Sequence, residues 1–185
     1  MYKLCKTEQS ARRQRQLEQG LLKAMEQHQY EDISISELCE HMGVPRKSFY
    51  RYFSSKDGAL YALLDHTLLE YEFFRMPIYY ESAENIQRVL ESFFWFWKQQ
   101  KPLLDALEIS GISGMLIERT IASVAEATKN LQILERPKIR DHVIQFAVCG
   151  LMIMMINWHH GGYQESVSEM TEIAMRLVSQ PLIAI

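Results

Sequence analysis

The tract from residue 46 to residue 56 concentrates side chains that can bind nucleic acid. It contains four basic residues and no acidic one, and the four are Arg46, Lys47, Arg51 and Lys56. The hydroxyl groups between them, which can donate hydrogen bonds, belong to Ser48, Tyr50 and Tyr52. Cations and hydroxyl donors placed together suit phosphate oxygens and the edges of bases. The tract therefore indicates a DNA-contacting surface, provided that a helix presents it.

The residues just before this tract predict a helix-turn-helix. Ser34 and Glu37 have the spacing of a capping box, so a helix is expected to start after Ser34. Gly43 suits the end of that helix, because glycine tolerates a positive φ. Pro45 suits the first position of the next helix, because its missing N–H needs no partner there. Two short helices joined by such a turn are typical of a helix-turn-helix, whose second helix enters the major groove.

This arrangement assigns different contacts to different residues. Arg46 and Lys47 stand at the start of the second helix, where side chains reach base edges, and we expect them on guanine or phosphate. Contacts to phosphate alone, which position the protein without reading sequence, are expected from Ser34, Ser36, Tyr50 and Lys56. The predicted DNA-binding set is completed by Ser48, Arg51 and Tyr52.

The remainder of the chain is also predicted to be helical. The 185 residues include only 8 glycines and 5 prolines, and no segment alternates apolar and polar residues over a strand length. Capping residues and apolar spacing predict an all-α fold of nine helices, with the first over about residues 8–29, the fourth capped by Ser54 and the eighth from Pro137 to about His160. We expect a DNA-binding domain over residues 1–56 and a helical effector-binding and dimerisation domain over residues 57–185.

Charge is distributed as this division requires. Residues 1–58 carry ten Lys and Arg against eight Asp and Glu, whereas residues 59–185 carry ten against fifteen. The asymmetry has the sign expected if DNA meets only the N-terminal part. Arg12, Arg13 and Arg15, near the start of the first helix, fit either a solvated face or phosphate contacts.

The DNA-binding module of TetR-family regulators resembles one stretch of this chain, ISISELCEHMGVPRKSFYRYFSSKDGAL. The shared marks are an I-x-x-L-C element, a Gly-Val turn and an aromatic Y-x-Y-F run followed by Lys-Asp. They correspond here to Ile35, Leu38, Cys39, Gly43, Val44, Tyr50, Tyr52, Phe53, Lys56 and Asp57. The resemblance spans about residues 12–60 and implies a transcriptional regulator, most often a repressor, in which Lys56 contacts phosphate. Pro45 departs from the family's usual Ser or Thr cap, and Lys47 replaces a common Gly.

The C-terminal part is similar to the ligand and dimer domain of the same family, mainly in its helix count. In the family the last two long helices pack against their copies, and Ala147 and Gly150 are small enough for such an approach. The apolar seam of a homodimer is expected from Val143, Met154, Val167, Met170, Ala174 and Leu177. A homodimer also fits a pseudo-palindromic operator, because two recognition helices then read two half-sites.

Aromatic residues after the helix-turn-helix suggest a small-molecule effector. Ligand sites are mostly apolar, so an apolar or aromatic compound would suit this composition. The candidate ligand-binding residues are Phe73, Phe94, Trp95, Trp97, Met154 and Trp158. Ordinary core packing is the alternative for each of them.

Catalysis, metal binding and membrane insertion find no support in the sequence. A di-iron bundle needs paired Glu-x-x-His motifs, which do not occur, and neighbouring His159 and His160 would point about 100° apart on a helix. Three scattered cysteines suit free thiols in a reducing compartment. No apolar run approaches the ~20 residues of a membrane span. We therefore expect a cytoplasmic protein that is not an enzyme, with no cofactor, no metal and no membrane partner.

One alternative remains from the sequence. The chain could be a non-catalytic helical dimer that binds a protein partner and keeps a vestigial helix-turn-helix. That alternative predicts no salt-dependent binding to double-stranded DNA, whereas the regulator predicts it.

Overall fold

The computed structural model describes residues 1–75, 83–128 and 137–179, and these ranges are largely helical. The helices are α1 (Glu8–Met25), α2 (Ile35–His41), α3 (Arg46–Tyr50), α4 (Lys56–Arg75), α5 (Ala83–Gln99), α6 (Lys101–Ile109), α7 (Ser113–Thr128), α8 (Pro137–His160) and α9 (Val167–Ser179). A single turn of 3-10 helix, Tyr30–Asp32, lies between α1 and α2. Within the described ranges the predicted all-α fold of nine helices is confirmed.

The chain divides into two compact units that alternate along the sequence. The first unit comprises residues 1–67 and 102–120, and the second comprises residues 68–101 and 121–185. The helix-turn-helix of α2 and α3 lies in the first unit, and α4 is continuous across residue 67. The predicted functional boundary after residue 56 stays a prediction.

In the first unit, α1 contributes one buried stripe to the core. Leu17, Leu21 and Met25 are buried at four-residue spacing, which places them on one face of the helix. His28, which lies within the predicted first helix of about residues 8–29, is exposed and follows the end of α1. The helix ends at Met25, and the amides of Gln27 and His28 both donate to the carbonyl of Ala24 in the turn that follows, at 3.2 and 3.0 Å.

The start of α2 is the predicted capping box. The Ser34 hydroxyl oxygen accepts a hydrogen bond from the Glu37 N–H at 3.1 Å, and the Glu37 carboxylate accepts one from the Ser34 N–H at 3.3 Å. These bonds favour the ionised carboxylate and lower the pKa of Glu37 below its ordinary value. Gly43 follows the helix with φ of 62°, the left-handed conformation expected at a helix end.

Two other predicted helix starts were wrong by one residue. Pro45 is the cap residue before α3 and not its first residue, because its ψ of 140° is extended. At α4, the cap predicted for Ser54 belongs to Ser55, whose hydroxyl accepts from the Gly58 N–H at 3.1 Å. Ser54 instead donates its hydroxyl hydrogen to the carbonyl of Met1 at 2.8 Å.

In the second unit, α5 packs against α8 and α9. Phe94 and Trp158 meet edge to face, with ring centroids 5.7 Å apart, and both are buried. The predicted bounds of α8 are confirmed. Gly162, with φ of 72°, turns the chain from α8 towards α9, and the indole N–H of Trp158 donates to the carbonyl of Glu165 at 3.0 Å.

The described residues contain no disulfide, no metal-binding cluster and no helix suited to a membrane. Cys5, Cys39 and Cys149 are free thiols. No group of three or more His, Cys, Asp or Glu side chains in residues 1–75, 83–128 and 137–179 could hold a metal ion. None of the described helices is long and apolar enough to cross a bilayer.

The capping box yields a paired prediction for α2. Ser34→Ala removes the side chain that caps the Glu37 N–H, so we expect the free energy of unfolding to fall by about 1 kcal/mol. Ser36→Ala is the matched control, since Ser36 is exposed within the same helix and should change that value by less than about 0.5 kcal/mol. Urea unfolding followed by circular dichroism measures both, and equal values for the two variants would contradict the capping role.

Candidate nucleic-acid interface

Helix α3 is fixed by one buried aromatic residue and presents its opposite side to solvent. Phe49 is fully buried, and its ring lies 5.1 Å from that of Phe53 between centroids. Arg46 and Lys47, at the start of α3, are exposed, as is Arg51 directly after it. The structure therefore brings three of the four predicted cations to one accessible segment.

The hydroxyl residues of the tract differ from one another. Tyr50 is 45% exposed and rests edge-on against Phe49 at 5.8 Å, so its hydroxyl remains accessible. Ser34, the cap of α2, and Ser36 within α2 are exposed, whereas Ser48 is only partly exposed.

Tyr52 does not match the predicted surface position. It is only 8% exposed, because α3 ends at Tyr50 and the chain then turns Tyr52 inward beside Phe53, at 6.3 Å between ring centroids. This burial does not support the prediction that Tyr52 contacts DNA.

An open groove of about 1040 Å³ lies between α1 and the helix-turn-helix. Its basic lining comes from both sides, with Arg13, Arg15 and Lys23 on α1 and Arg51 after α3. A second groove of about 550 Å³, between α1 and α2, has a mixed lining that includes Asp32 and Glu37 beside His28 and His41. The first groove is also lined by Pro45 and Ser48, which flank Arg46 and Lys47 in the sequence, so its basic lining adjoins the exposed start of α3.

Lys56 makes contacts inside the protein that the sequence did not predict, and its phosphate contact stays a prediction. Its ammonium group donates to the carbonyls of Tyr30, Glu31 at 3.2 Å and Ile33 at 2.8 Å, and it lies 4.3 Å from the centre of the Tyr30 ring. An ammonium group has three N–H donors, so these carbonyls use all of them. These hydrogen bonds from Lys56 connect the turn before α2 to the start of α4.

Tyr30, which Lys56 contacts, makes further hydrogen bonds that the sequence did not predict. The Tyr30 hydroxyl donates to Asp57 Oδ1 at 2.6 Å, and the Tyr30 N–H donates to Ser110 Oγ at 3.0 Å. Burial and the Asp57 carboxylate raise the pKa of the Tyr30 phenol, so it remains a donor. No spacing rule could have found these partners, because Ser110 is 80 residues away.

A second polar network in the first unit centres on Asp65 of α4. Arg119 of α7 binds both carboxylate oxygens, with Nε to Oδ1 at 2.7 Å and Nη2 to Oδ2 at 2.5 Å. The Tyr2 hydroxyl donates to Asp65 Oδ2 at 2.7 Å. Beside it, the fully buried carboxylate of Glu18 is 2.9 Å from His66 Nδ1. The sequence did not predict this network, since its members are separated by more than 45 residues.

The predicted ligand-binding residues do not share one environment. Phe94, Trp97 and Trp158 are buried in the aromatic core of the second unit, whereas Trp95 is half-exposed. Met154 is partly buried. The side chain of Phe73 lies outside the described residues.

The predicted dimer residues divide in a similar way. Gly150 and Leu177 are exposed, and Ala147, Met154 and Val167 are exposed or partly exposed. Met170 and Ala174 are buried within the single chain, where α9 packs against α5, so they are not part of an exposed seam. The side chain of Val143 lies outside the described residues. On α8 and α9, the large apolar residues that are exposed but were not predicted for the dimer are Phe146, Ile153, Ile173 and Val178.

Comparisons with known proteins agree with this architecture. Residues 20–63 match the family model of bacterial regulatory proteins, tetR family. This segment contains α2, α3 and the start of α4. No curated protein matches the sequence.

Solved structures resemble the chain over most of its length. A tetR-family transcriptional regulator from Streptomyces coelicolor has a TM-score of 0.59 at 18% identity, covering 90% of this chain and 78% of the other. The fatty acid degradation regulator FadR from Bacillus halodurans has a TM-score of 0.56 at 16% identity, covering 92% and 96%. A TetR/AcrR-family regulator from Thermobifida fusca YX-ER1 has a TM-score of 0.50 at 17% identity, covering 90% and 96%. The helix-turn-helix segment therefore matches the tetR family of bacterial regulatory proteins, and the likeness to these solved structures shows that the chain shares their fold.

Proposed function

We propose that the protein is a sequence-specific transcriptional repressor that binds a pseudo-palindromic operator as a homodimer and is released by a small apolar or aromatic effector. The observation that carries the proposal is the exposed basic start of α3, held in place by the buried Phe49. A helix presented in this way fits the major groove, with Arg46 and Lys47 nearest to base edges. Regulators of this family are transcription factors and not enzymes.

The basic groove supports the assignment of phosphate contacts. Arg13, Arg15 and Lys23 place cations on α1 facing the same groove as Arg51. A charge-lined groove next to a recognition helix suits a sugar-phosphate backbone, which carries one negative charge per ~1.7 Å of duplex axis. With Lys56 engaged inside the protein, we assign the phosphate contacts to these arginines and to Ser36 and Tyr50.

Exposed apolar residues on α8 and α9 support a homodimer. Phe146, Gly150 and Ile153 follow one face of α8, and Phe146 is 71% exposed. On α9, Ile173 and Leu177 are one turn apart and also exposed. Gly150 has no atom within 4 Å of the position where a Cβ would lie, so a second helix could approach it closely. A second copy of the chain would remove these surfaces from water and provide the second recognition helix.

The aromatic core of the second unit supports an effector with a hydrogen-bond acceptor. Trp97 is buried, and its indole N–H has no hydrogen-bond partner among the described residues. An unsatisfied buried donor costs ~1–3 kcal/mol, which an acceptor on a bound molecule could recover. The indole N–H of Trp158 is already bonded to Glu165, so Trp158 serves packing first. The effector would act by binding one shape of the protein more tightly than the DNA-bound shape.

Retention of genomic DNA fragments tests the proposal directly. We expect the purified protein to retain a few fragments that share an inverted repeat, at low salt and at near-physiological salt, because base contacts persist when phosphate contacts are screened. Retention of all fragments at low salt and of none at physiological salt would contradict an operator-binding regulator. That outcome would favour the helical dimer that binds a protein partner.

Two cation replacements should separate surface contacts from internal ones. Arg46→Met is expected to weaken binding to a retained fragment by ~1–3 kcal/mol, because it removes a contact to a base or phosphate. Lys56→Met is expected to lower the free energy of unfolding by about 1–3 kcal/mol, because three backbone carbonyls lose a charged donor. It should leave the dependence of log affinity on log salt unchanged. A slope reduced by about one after Lys56→Met would restore Lys56 as a phosphate contact.

A charge placed in the exposed apolar face of α8 tests the homodimer. Phe146→Glu should raise the dissociation constant of the dimer at least about tenfold, because a carboxylate would be buried without a partner. Gln99→Glu on α5, an exposed position in the same unit, is the matched control and should not change association. Sedimentation velocity over a concentration series measures both variants, and unchanged association after Phe146→Glu would place the dimer contact elsewhere.

A further inference from the structure

The first residues of the chain lie along the segment that follows the recognition helix. The Lys3 N–H donates to the carbonyl of Tyr52 at 3.0 Å, and the Ser54 N–H donates to the carbonyl of Met1 at 3.1 Å. Tyr2 thereby pairs with Phe53 in a single antiparallel bridge. The Ser54 hydroxyl donates to the same Met1 carbonyl at 2.8 Å. Residues 1–6, called the strap below, therefore hold the residues where the chain leaves α3 and approaches α4.

Gly58 makes room for the strap on α4. A Cβ added to Gly58 would lie 2.6 Å from the carbonyl oxygen of Met1, closer than any ordinary contact. The obstacle is backbone and not the end of a flexible side chain, so the strap would have to move. By contrast, Gly114 on α7 has nothing within 4 Å of such a Cβ. Gly58 is thus a site of close backbone approach.

The side chain of Tyr2 fixes the strap from the inside. Its hydroxyl donates to Asp65 at 2.7 Å, and its ring meets His66 edge to face at 5.9 Å. Asp65 is held in turn by two hydrogen bonds from Arg119. Burial, followed by the hydrogen bond to Asp65, raises the pKa of the Tyr2 phenol, so it stays a donor at neutral pH. Lys3, the next residue of this extended segment, is exposed.

We propose that the strap positions α3 for DNA and that Tyr2 is the positioning residue. The inference rests on the proposed DNA-binding function and adds an element that touches no base or phosphate itself. Helix α3 has five residues, too few to be stable without tertiary contacts. The strap adds backbone hydrogen bonds directly after α3 and connects them through Tyr2 and Asp65 to Arg119. A segment held in its binding conformation loses less freedom when DNA binds, so its affinity is higher.

The test releases the strap without removing any proposed DNA contact. Gly58→Ala should displace the strap while favouring helix α4, since Ala has a higher helix propensity than Gly. Tyr2→Phe removes only the hydroxyl. For both we expect faster amide hydrogen exchange at Lys3 and Ser54. We also expect about fivefold weaker binding to a DNA fragment retained by the unaltered protein, the size of one lost hydrogen bond. The salt dependence of binding should not change, because no phosphate contact is lost.

Two control variants separate the release of the strap from the effects of an added methyl group and of surface charge. Gly114→Ala is a matched substitution in open space, so neither exchange nor affinity should change. Lys3→Met keeps the backbone hydrogen bond to Tyr52 and removes the exposed charge, so affinity should stay within about twofold of the unaltered protein, a change of less than ~0.5 kcal/mol. If Lys3→Met lowers both the affinity and the salt slope while Tyr2→Phe does not, the strap contributes charge, and the positioning role is overturned.

The remaining outcomes separate this inference from the proposed function. Faster exchange in the strap of Gly58→Ala with unchanged DNA affinity overturns the inference alone. Unchanged exchange in both Gly58→Ala and Tyr2→Phe also overturns it, because the strap contacts would then not control the segment. If the unaltered protein retains no DNA fragment selectively, the proposed function fails, and this inference fails with it.

Discussion

A helix of five residues cannot hold its shape or direction in water, and this constraint governs the first unit of the protein. Helix α3 has that length, so its orientation must come from contacts with the rest of the unit. Phe49 supplies the main contact, since its ring is fully buried against Phe53. The cations at the start of α3 are exposed, while this ring is buried in the core. Because α3 is so short, the hydrogen bonds of Tyr52 and Ser54 to residues 1–3 also help to hold its position.

Cations in the first unit serve two purposes that composition cannot distinguish. Arg46 and Arg51 are exposed, whereas the ammonium of Lys56 is used by three backbone carbonyls and the guanidinium of Arg119 by Asp65. A charge count over residues 1–58 includes the exposed arginines and Lys56 alike. Internal cations stabilise turns and helix starts, and accessible ones remain for a polyanion. The accessible positive charge at the start of α4 is therefore smaller than the residue types suggest.

Apolar residues of the second unit divide in the same manner. On α9, Met170 and Ala174 are buried inside the chain, while Ile173 and Leu177 remain exposed. All four have types that suit an interface, but α5 already covers the first pair. On α5, Phe94 and Trp97 enter the core, and the neighbouring Trp95 does not. The side of a helix that faces its neighbours, and not hydrophobicity alone, decides which residues remain available for a partner or a ligand.

The sequence by itself determined the features whose partners lie within one or two turns. The capping box of Ser34 and Glu37, the glycine turn at Gly43, the bounds of α8, the all-α class and the family motif all follow from short spacings, because caps and turns satisfy nearby backbone groups. Tertiary structure alone decided the partners of Lys56 and Asp65 and the burial of Tyr52. These contacts and this burial depend on which distant segments pack into one core. Side-chain type and local spacing do not determine that packing.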